Sequence, residues 1–260
     1  MSWRNTARER WRHRVSTQPQ SKPASEPDRL RTAGGLYGHV VETLGNEITG
    51  GHMPAQQIIY AAQLTERFGI SRSVVRESIR TLSSMGLLEA RPQVGTRVLP
   101  IERWDLLNPR IIAWRASGPD ALVQQRELIE LRLGIEPLAA RLAAERIDDE
   151  VAQELVRCAD AMHAAIQERD SFRFFEVDSL FHRLLLTASK NQLITKFFAA
   201  IDAGLRVREN LPPSQLNVRA TELHVDLARA LVARDPAMAS QLATRILEQT
   251  LLELEEGDGF

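Results

Sequence analysis

Three residues in the C-terminal half of the chain combine types and spacing that suit a metal ion. Asp178 and His182 stand four residues apart in EVDSLFHRLLL, so on a helix they share one face. His224 lies in the separate stretch ELHVDLARAL. One carboxylate and two imidazoles that converge inside a helical bundle can bind Zn²⁺, Ni²⁺ or Mn²⁺ and leave positions open for water or a ligand. The residues alone also allow a structural role, with His182 as a core histidine satisfied by Asp178 and His224 at the surface or hydrogen-bonded.

A second group of chemically capable side chains lies nearer the N-terminus. Arg72, Arg76 and Arg80, which we call the arginine stripe, recur every four residues beside the hydroxyl groups of Ser71 and Ser73. On a helix this spacing puts the guanidinium groups on one side. Such a surface suits phosphates and guanine edges, because the planar fork of arginine can pair with O6 and N7 together. The same spacing is also typical of an ordinary solvated helix face, so the surrounding elements decide between the two.

The residues on either side of the stripe predict three short helices and a hairpin. Apolar side chains recur every four residues over 36–48, and a glycine pair ends that helix. A second apolar series ends in FGIS, where Gly69 supplies a turn and Ser71 is a natural N-cap for a helix over 72–84. The stretch LLEARPQVGTRVLP then predicts a hairpin with a glycine near its tip. This order is that of a winged helix-turn-helix, in which the second helix of the motif reaches base edges.

The stretch FGISRSVVRESIRTLSSMGLLEARPQVGTRV resembles the DNA-binding domain of the GntR family of bacterial transcription regulators, over about residues 36 to 99. The residues that carry this resemblance are Ser71, Arg72, Val75, Arg76, Glu77, Gly86, Leu87 and Gly95. The resemblance implies that Arg72 and Arg76 contact DNA. It also implies that Ser71 and Ser73 hold phosphates and that Gly95 brings the wing into the minor groove.

Composition limits the class of protein. A chain of 260 residues with 43% hydrophobic residues is long enough for two domains. Cys158 is the single cysteine, which excludes a disulfide framework and a multi-cysteine metal site and favours a reducing cytosol. The sequence has no run of about 18 apolar residues and no signal-peptide core, so we expect a cytoplasmic protein that binds no membrane. A net charge of -1 excludes a uniformly basic coat, so DNA contacts must come from local clusters such as the arginine stripe.

We expect four segments along the chain and a mainly α fold. Residues 1–34 hold eight Lys and Arg against three Asp and Glu with few aliphatic side chains, which predicts a disordered basic arm. Residues 35–99 form the winged helix-turn-helix. Residues 100–119, with three prolines and two tryptophans, are expected to be a linker whose short helical piece docks on the C-terminal domain. Residues 120–256 show helical periodicity without strand-like alternation, which predicts an all-helical bundle of six or seven helices.

The C-terminal stretches ELIELRLGIEPLAARLAAERI, ASKN, ELH and ALVARDPAMA resemble the FadR-type effector domain of the GntR family, often called the FCD domain, over about residues 120 to 255. Many such domains hold a divalent metal with one Asp and three His and bind a carboxylate effector over it. Asp178, His182 and His224 match the first three ligands, and the fourth position falls on Ile246, which cannot ligate. The resemblance therefore implies either a three-ligand metal site or a polar cluster that binds effector without metal. Relatives that sense sugar acids such as galactonate are similar in IEPLAARLAAER.

Charge identifies the expected anchors for an acidic effector. Arg132 lies in ELRLGIEP among apolar neighbours, where a guanidinium is costly unless an anion meets it. The alternative is an ion pair with Glu136, one turn later on the same helix. Arg206 in AGLRVRE is a second candidate, and Asn191 is expected to cap a helix or to donate to the ligand.

Together these patterns predict a ligand-responsive transcription regulator and not an enzyme. We expect a homodimer on a pseudo-palindromic double-stranded DNA operator, because two linked readers discriminate far better than one. A small organic or sugar acid is expected to meet Arg132 and the Asp178, His182 and His224 group, and repression with release by effector is the expected sign. Two alternatives stay open. One is a metal-sensing repressor, in which the metal is the signal, and the other is a metal-dependent hydrolase.

Overall fold

The computed structural model describes residues 33–91, 93–208 and 218–256. Its N-terminal part contains helices and an antiparallel sheet, namely α1 (Ala33–Thr49), β1 (Ile58–Ile59), α2 (Ala61–Phe68), α3 (Arg72–Ser84), β2 (Leu88–Arg91) and β3 (Gly95–Val98). The predicted basic arm falls on residues 1–34, of which 1–32 lie outside the described residues. Helix α1 begins at Ala33 and so includes the last two positions of that arm.

The wing has one strand more than the sequence predicts. Strand β3 lies between β2 and β1, with Leu88 opposite Val98 and Ile58 opposite Arg97. Strand β1 has only two residues, so no alternation of apolar and polar side chains reveals it in the sequence. Its pairing ties the segment before α2 to the wing and thereby holds the wing against the helices.

Helix α3 buries its apolar side in a core shared with α1 and the wing. Val75, Ile79 and Leu82 are buried there, as their spacing predicts. The helix begins after Ser71, whose side chain accepts a hydrogen bond from an amide of the first turn. The turn before it uses Gly69 in the left-handed conformation, at φ 62°. With this side buried, the polar side of α3 faces away from the core.

A short helix, α4 (Pro109–Arg115), connects the two parts of the chain and packs on both. On one side the ring of Trp114 enters the N-terminal core beside Gly45, where an added Cβ would lie 2.6 Å from the ring. On the other side Ile112 packs against two alanines of the C-terminal part. The sequence predicts docking on the C-terminal domain alone, and the structure adds docking on the N-terminal domain.

The C-terminal part forms seven helices in the described residues, and no strand lies among them. They are α5 (Ala121–Arg146), α6 (Asp149–Gln167), α7 (Ser171–Ala188), α8 (Gln192–Lys196), α9 (Phe198–Arg206), α10 (Val218–Val232) and α11 (Pro236–Glu256). Helix α5 packs along α11 and against α7, while α6 packs against α7 and α10. The predicted winged helix followed by an all-helical bundle is confirmed. Within the described ranges, no helix is both long and apolar enough to cross a bilayer.

Candidate effector site and DNA-reading surface

The arginine stripe lies on the solvent side of α3. Arg72, Arg76 and Arg80 are exposed, whereas Val75 and Ile79 between them are buried. The three guanidinium groups therefore form an exposed row that begins at the N-terminus of the helix. In that position they are available to phosphates and to base edges.

Two hydroxyl groups flank the start of this row. The side-chain oxygens of Ser71 and Ser73 lie 2.9 Å apart, and both residues are exposed. Ser71 caps the helix, so its oxygen already has a structural role. A phosphate at this end would meet exposed hydroxyl groups together with the amide-rich N-terminus of α3, which favours anions.

The packing of the wing itself requires a glycine at position 95. Its φ is 115°, and a Cβ at this position would lie 2.9 Å from Cγ2 of Ile58. Glycine at this position therefore lets β1 approach β3 closely. Its neighbour Val94 is 48% exposed at the end of the hairpin. The contact of this wing with a minor groove remains a prediction.

Five buried polar side chains meet inside the helical bundle. Arg132 and Glu136 come from α5, Asp178 and His182 from α7, and His224 from α10. Each is at most 7% exposed. We call these five residues the acid–histidine cluster. Arg132 and Glu136, like Asp178 and His182, are neighbours because each pair has i, i+4 spacing on one helix. The fold brings the two pairs together with His224.

His182 lies at the centre of the cluster. Its Nδ1 lies 2.8 Å from Oε2 of Glu136, close in distance but poorly aligned for a hydrogen bond. Oδ1 of Asp178 lies 3.4 Å from Nε2 of His182 and 3.4 Å from Nε2 of His224. Arg132 donates from Nε to Oε1 of Glu136 at 2.5 Å, and its Nη2 lies 3.0 Å from Nε2 of His182. The ion pair with Glu136 that the sequence allowed is therefore present, within a larger network.

The charges of the cluster compensate one another. Burial alone would raise the pKa of Glu136, but the positive charges of Arg132 and His182 lower it to about 2. Burial alone would lower the pKa of His182, but Glu136 and Asp178 raise it to about 9, against the opposing charge of Arg132. Although burial opposes it, His182 and His224 hold the pKa of Asp178 well below its usual range. Both carboxylates are therefore ionised at neutral pH.

Asp178, His182 and His224 fit a divalent metal ion. One ligand atom from each lies within 4.8 Å of the others. A carboxylate and two imidazoles suit Zn²⁺, Ni²⁺ or Mn²⁺, and Glu136 beside Nδ1 of His182 is the type of outer partner that orients a ligating imidazole. Ile246, at the position expected for a fourth ligand, is buried and offers only apolar surface. The residues present therefore suit a site with three protein ligands.

A small cavity lies beside the cluster, between α5, α9 and α11. Its volume is about 30 Å³, and Arg132 is one of its lining residues. A second guanidinium, that of Arg208, lines the same cavity from the segment just after α9. Sequence reasoning missed Arg208, although this residue follows Ile201, Gly204 and Leu205 at helical spacing and those three residues also line the cavity. That spacing, together with the charge of Arg208, was the signal that could have identified it.

Two other predicted effector residues do not line this cavity. The side-chain oxygen of Asn191 accepts hydrogen bonds from two backbone amides of α8, at 3.0 and 3.3 Å, so it caps that helix. Arg206 is half exposed and donates from Nε to Asp202 on its own helix at 3.0 Å. It borders a separate cleft beside Trp114 of the linker helix. The structure thus brings Arg132 to the cavity and places Asn191 and Arg206 elsewhere.

Comparisons with known proteins match both parts of the chain. Residues 36–98 match the model of the family described as bacterial regulatory proteins, gntR family, and residues 127–249 match the FCD domain model. The acid–histidine cluster and the cavity lie mostly within the second match.

Individual relatives and a solved structure agree with these matches. The galactonate operon transcriptional repressor of Escherichia coli K12 is 27% identical over 221 residues, which cover 84% of this chain and 96% of that protein. The uncharacterized HTH-type transcriptional regulator YieP of the same organism is 29% identical over 150 residues, 58% of this chain and 65% of that protein. The solved structure of Lar, described as controlling expression of the Listeria monocytogenes agr system, shows the same fold. It has a TM-score of 0.57 at 16% identity and covers 86% of this chain and 98% of Lar.

Proposed function

The chain belongs to the GntR family of bacterial regulators and carries an FCD domain. On this basis we propose that a small organic or sugar acid, bound beside Arg132, controls how the protein binds DNA. The observation that carries the proposal is the position of Arg132, whose buried guanidinium faces both the acid–histidine cluster and the cavity. A guanidinium that lines a cavity is suited to a carboxylate, because a hydrogen bond between two charged groups is stronger than one between neutral groups.

In this proposal the exposed side of α3 reads the operator. Arg72 and Arg76 meet base edges in the major groove, and Arg80 with the hydroxyls of Ser71 and Ser73 positions the helix on phosphates. The reader acts as a homodimer on a pseudo-palindromic site, because one winged helix covers only a few base pairs.

Helix α9 connects the cavity to the DNA-binding part. Ile201 and Leu205 of α9 line the cavity, while Ala200 and Ala203 pack on Ile112 of the linker helix α4. A ligand that favours one position of α9 therefore shifts α4, whose Trp114 belongs to the N-terminal core. The ligand acts only through different affinities for the two arrangements. We propose repression relieved by the effector, the sign suggested by the relative named as a galactonate operon repressor.

The group formed by Asp178, His182 and His224 favours a second candidate, a repressor that senses the metal itself. A divalent ion held by these residues would add positive charge next to Arg132 and so strengthen the attraction for a carboxylate. The two candidates differ in what releases DNA. Metal alone is sufficient in a metal sensor, whereas an acid is required in an effector sensor.

The test begins with selection of a binding duplex from random double-stranded DNA by the full-length protein. Binding of that duplex is then measured by fluorescence anisotropy, with a panel of carboxylates, with Zn²⁺, Ni²⁺ or Mn²⁺, and with EDTA. Arg132→Gln leaves Glu136 without its partner, so it is measured at a temperature where melting shows that it is folded. There it is expected to keep DNA binding and lose the response to acid. Arg141→Gln, an exposed arginine on the same helix, is the matched control and is expected to keep both. Release by metal alone would replace the proposal with the metal sensor, and an intact acid response in Arg132→Gln would remove that residue from the site.

A further inference from the structure

The wall of the cavity beside Arg132 is apolar over most of its extent. Its apolar lining residues are Leu128, Ile129, Ala200, Ile201, Gly204, Leu205 and Leu254, and its polar ones are Gln125, Arg132, Arg208 and Thr250. The hydroxyl of Thr250 already donates to the carbonyl of Ile246 in its own helix, at 2.9 Å. The polar groups that a ligand would meet are thus the two arginines and the side-chain amide of Gln125.

Those two arginines form the charged end of the cavity. Arg132 is 7% exposed, and the side chain of Arg208 is 19% exposed. Nη2 of Arg208 lies 3.6 Å from Oε2 of Glu253, and its guanidinium carbon lies 5.7 Å from the centre of the Phe175 ring. Burial lowers the pKa of Arg208, the negative charges of Glu253 and Asp178 oppose this effect, and the charge of Arg132 adds to it. Two like charges that face one cavity are stabilised by an anion placed between them.

Hydroxyl groups find few partners along the remaining wall. A sugar acid carries a hydroxyl on almost every carbon, and each hydroxyl buried without a hydrogen bond costs about tenfold or more in affinity. An alkyl chain loses nothing on the same wall and gains about fourfold in affinity for each methylene group buried. The lining is therefore expected to bind acids without hydroxyl groups more tightly than acids with many hydroxyl groups.

We infer that the effector is an aliphatic monocarboxylate with few or no hydroxyl groups, whose carboxylate lies between Arg132 and Arg208 and whose chain lies along Leu128, Ile201 and Leu254. This inference rests on the proposed function, because it specifies the acid that the same site binds.

The present cavity of about 30 Å³ holds roughly one water molecule, so binding of the chain requires its walls to move apart. Gly204 of α9 lies against Leu128 of α5, since a Cβ at this glycine would lie 3.2 Å from Cδ1 of Leu128. A side chain at position 204 would fill the space between α9 and α5. The length of the accepted chain is therefore expected to depend on this glycine.

The experiment measures thermal melting of the full-length protein, and its binding to the selected duplex, with acetate, butyrate, hexanoate, octanoate, gluconate and galactonate. Hexanol serves as the probe that lacks the carboxylate. The melting temperature is expected to rise with chain length from butyrate onward and to stay constant with hexanol and with both sugar acids. Gly204→Ala is expected to shorten the longest accepted chain.

Arg208→Gln is expected to weaken binding of every carboxylate by about 10- to 100-fold, with Arg141→Gln as the unaffected control. The chain-length series in the unsubstituted protein tests the inference even where Arg208→Gln fails to fold. Stabilisation by gluconate or galactonate without any effect of hexanoate would overturn the inference and leave the proposed function standing. Release of DNA by metal in the absence of every acid would overturn both.

Discussion

Removal of one buried charge, that of Glu136, tests how the acid–histidine cluster is held together. Glu136→Gln keeps the shape of the side chain and removes the carboxylate that contacts Arg132 at 2.5 Å and lies beside His182 at 2.8 Å. Arg132 then lacks the partner that offsets its burial. Removal of one partner of a buried ion pair costs about 3 to 5 kcal/mol.

The pKa of Glu136 gives a magnitude of the same order for the combined effect of Arg132 and His182, net of burial. The pKa of Glu136 falls from an ordinary value of 4.5 to about 2, a difference that corresponds to about 3 kcal/mol of folding free energy. Because this pKa is depressed, the contribution is present above pH 4.5 and is lost as the pH falls toward 2. For a chain of this size, 3 kcal/mol corresponds to roughly 6 to 12 °C in melting temperature.

The assay is thermal melting of EDTA-treated protein at pH 7 and along an acid titration. Glu145→Gln is the control, because Glu145 forms an exposed i, i+4 pair with Arg141 on the same helix, and such pairs contribute only about 0.3 to 0.5 kcal/mol. We expect Glu136→Gln to melt well below the control at pH 7 and to lose less stability on acidification than the unsubstituted protein. Equal melting temperatures for the two variants would refute the view that Arg132 depends on Glu136.

Other substitutions test the remaining parts of the structure. Arg76→Ala is expected to cost about 1 to 3 kcal/mol in operator binding, measured by anisotropy, while Arg157→Ala on the exposed side of the effector domain changes nothing. His224→Ala is expected to keep operator binding and to lose the effector response, and a variant that still responds would remove His224 from the site. Gly45→Val, whose side chain would strike the ring of Trp114, is expected to lower stability by about 1 to 3 kcal/mol, and unchanged melting would show that α4 is not packed there.

Much of the N-terminal DNA-binding domain could be predicted, because the sequence signals for its helices are local. Helix α3 begins one residue after the N-cap Ser71 and ends just before Gly86, and both boundaries depend on neighbouring residues alone. Strand β1 could not be predicted, because Ile58 and Ile59 form a strand only by pairing with β3, which lies far along the chain. A two-residue element has no periodicity to detect.

The candidate site likewise has one part that the sequence predicts and one part that it does not. Asp178 and His182 share a helix face by their spacing, so their proximity was predictable. The approach of His224, which comes from α10, and of Arg132, which comes from α5, depends on how three helices pack. Spacing places Arg208 on the same side of the chain as Ile201 and Leu205, but the approach of that side to Arg132 again depends on helix packing. Spacing alone does not contain that information.

The two-sided packing of α4 has a practical consequence for the exchange of modules between regulators. A DNA-binding fragment cut at Leu99 would lose Ile111 and Trp114, which are 0% and 4% exposed and belong to its own core. Such a fragment would expose a groove along α1 where the indole ring had been. A fragment that continues through Arg115 keeps these side chains and exposes the face by which Ile112 contacts α9 and Arg115 approaches Glu127 of α5. Chimeric sensors built by joining this reader to another ligand-binding domain should therefore carry α4 with the reader and adapt its Ile112 face to the new partner.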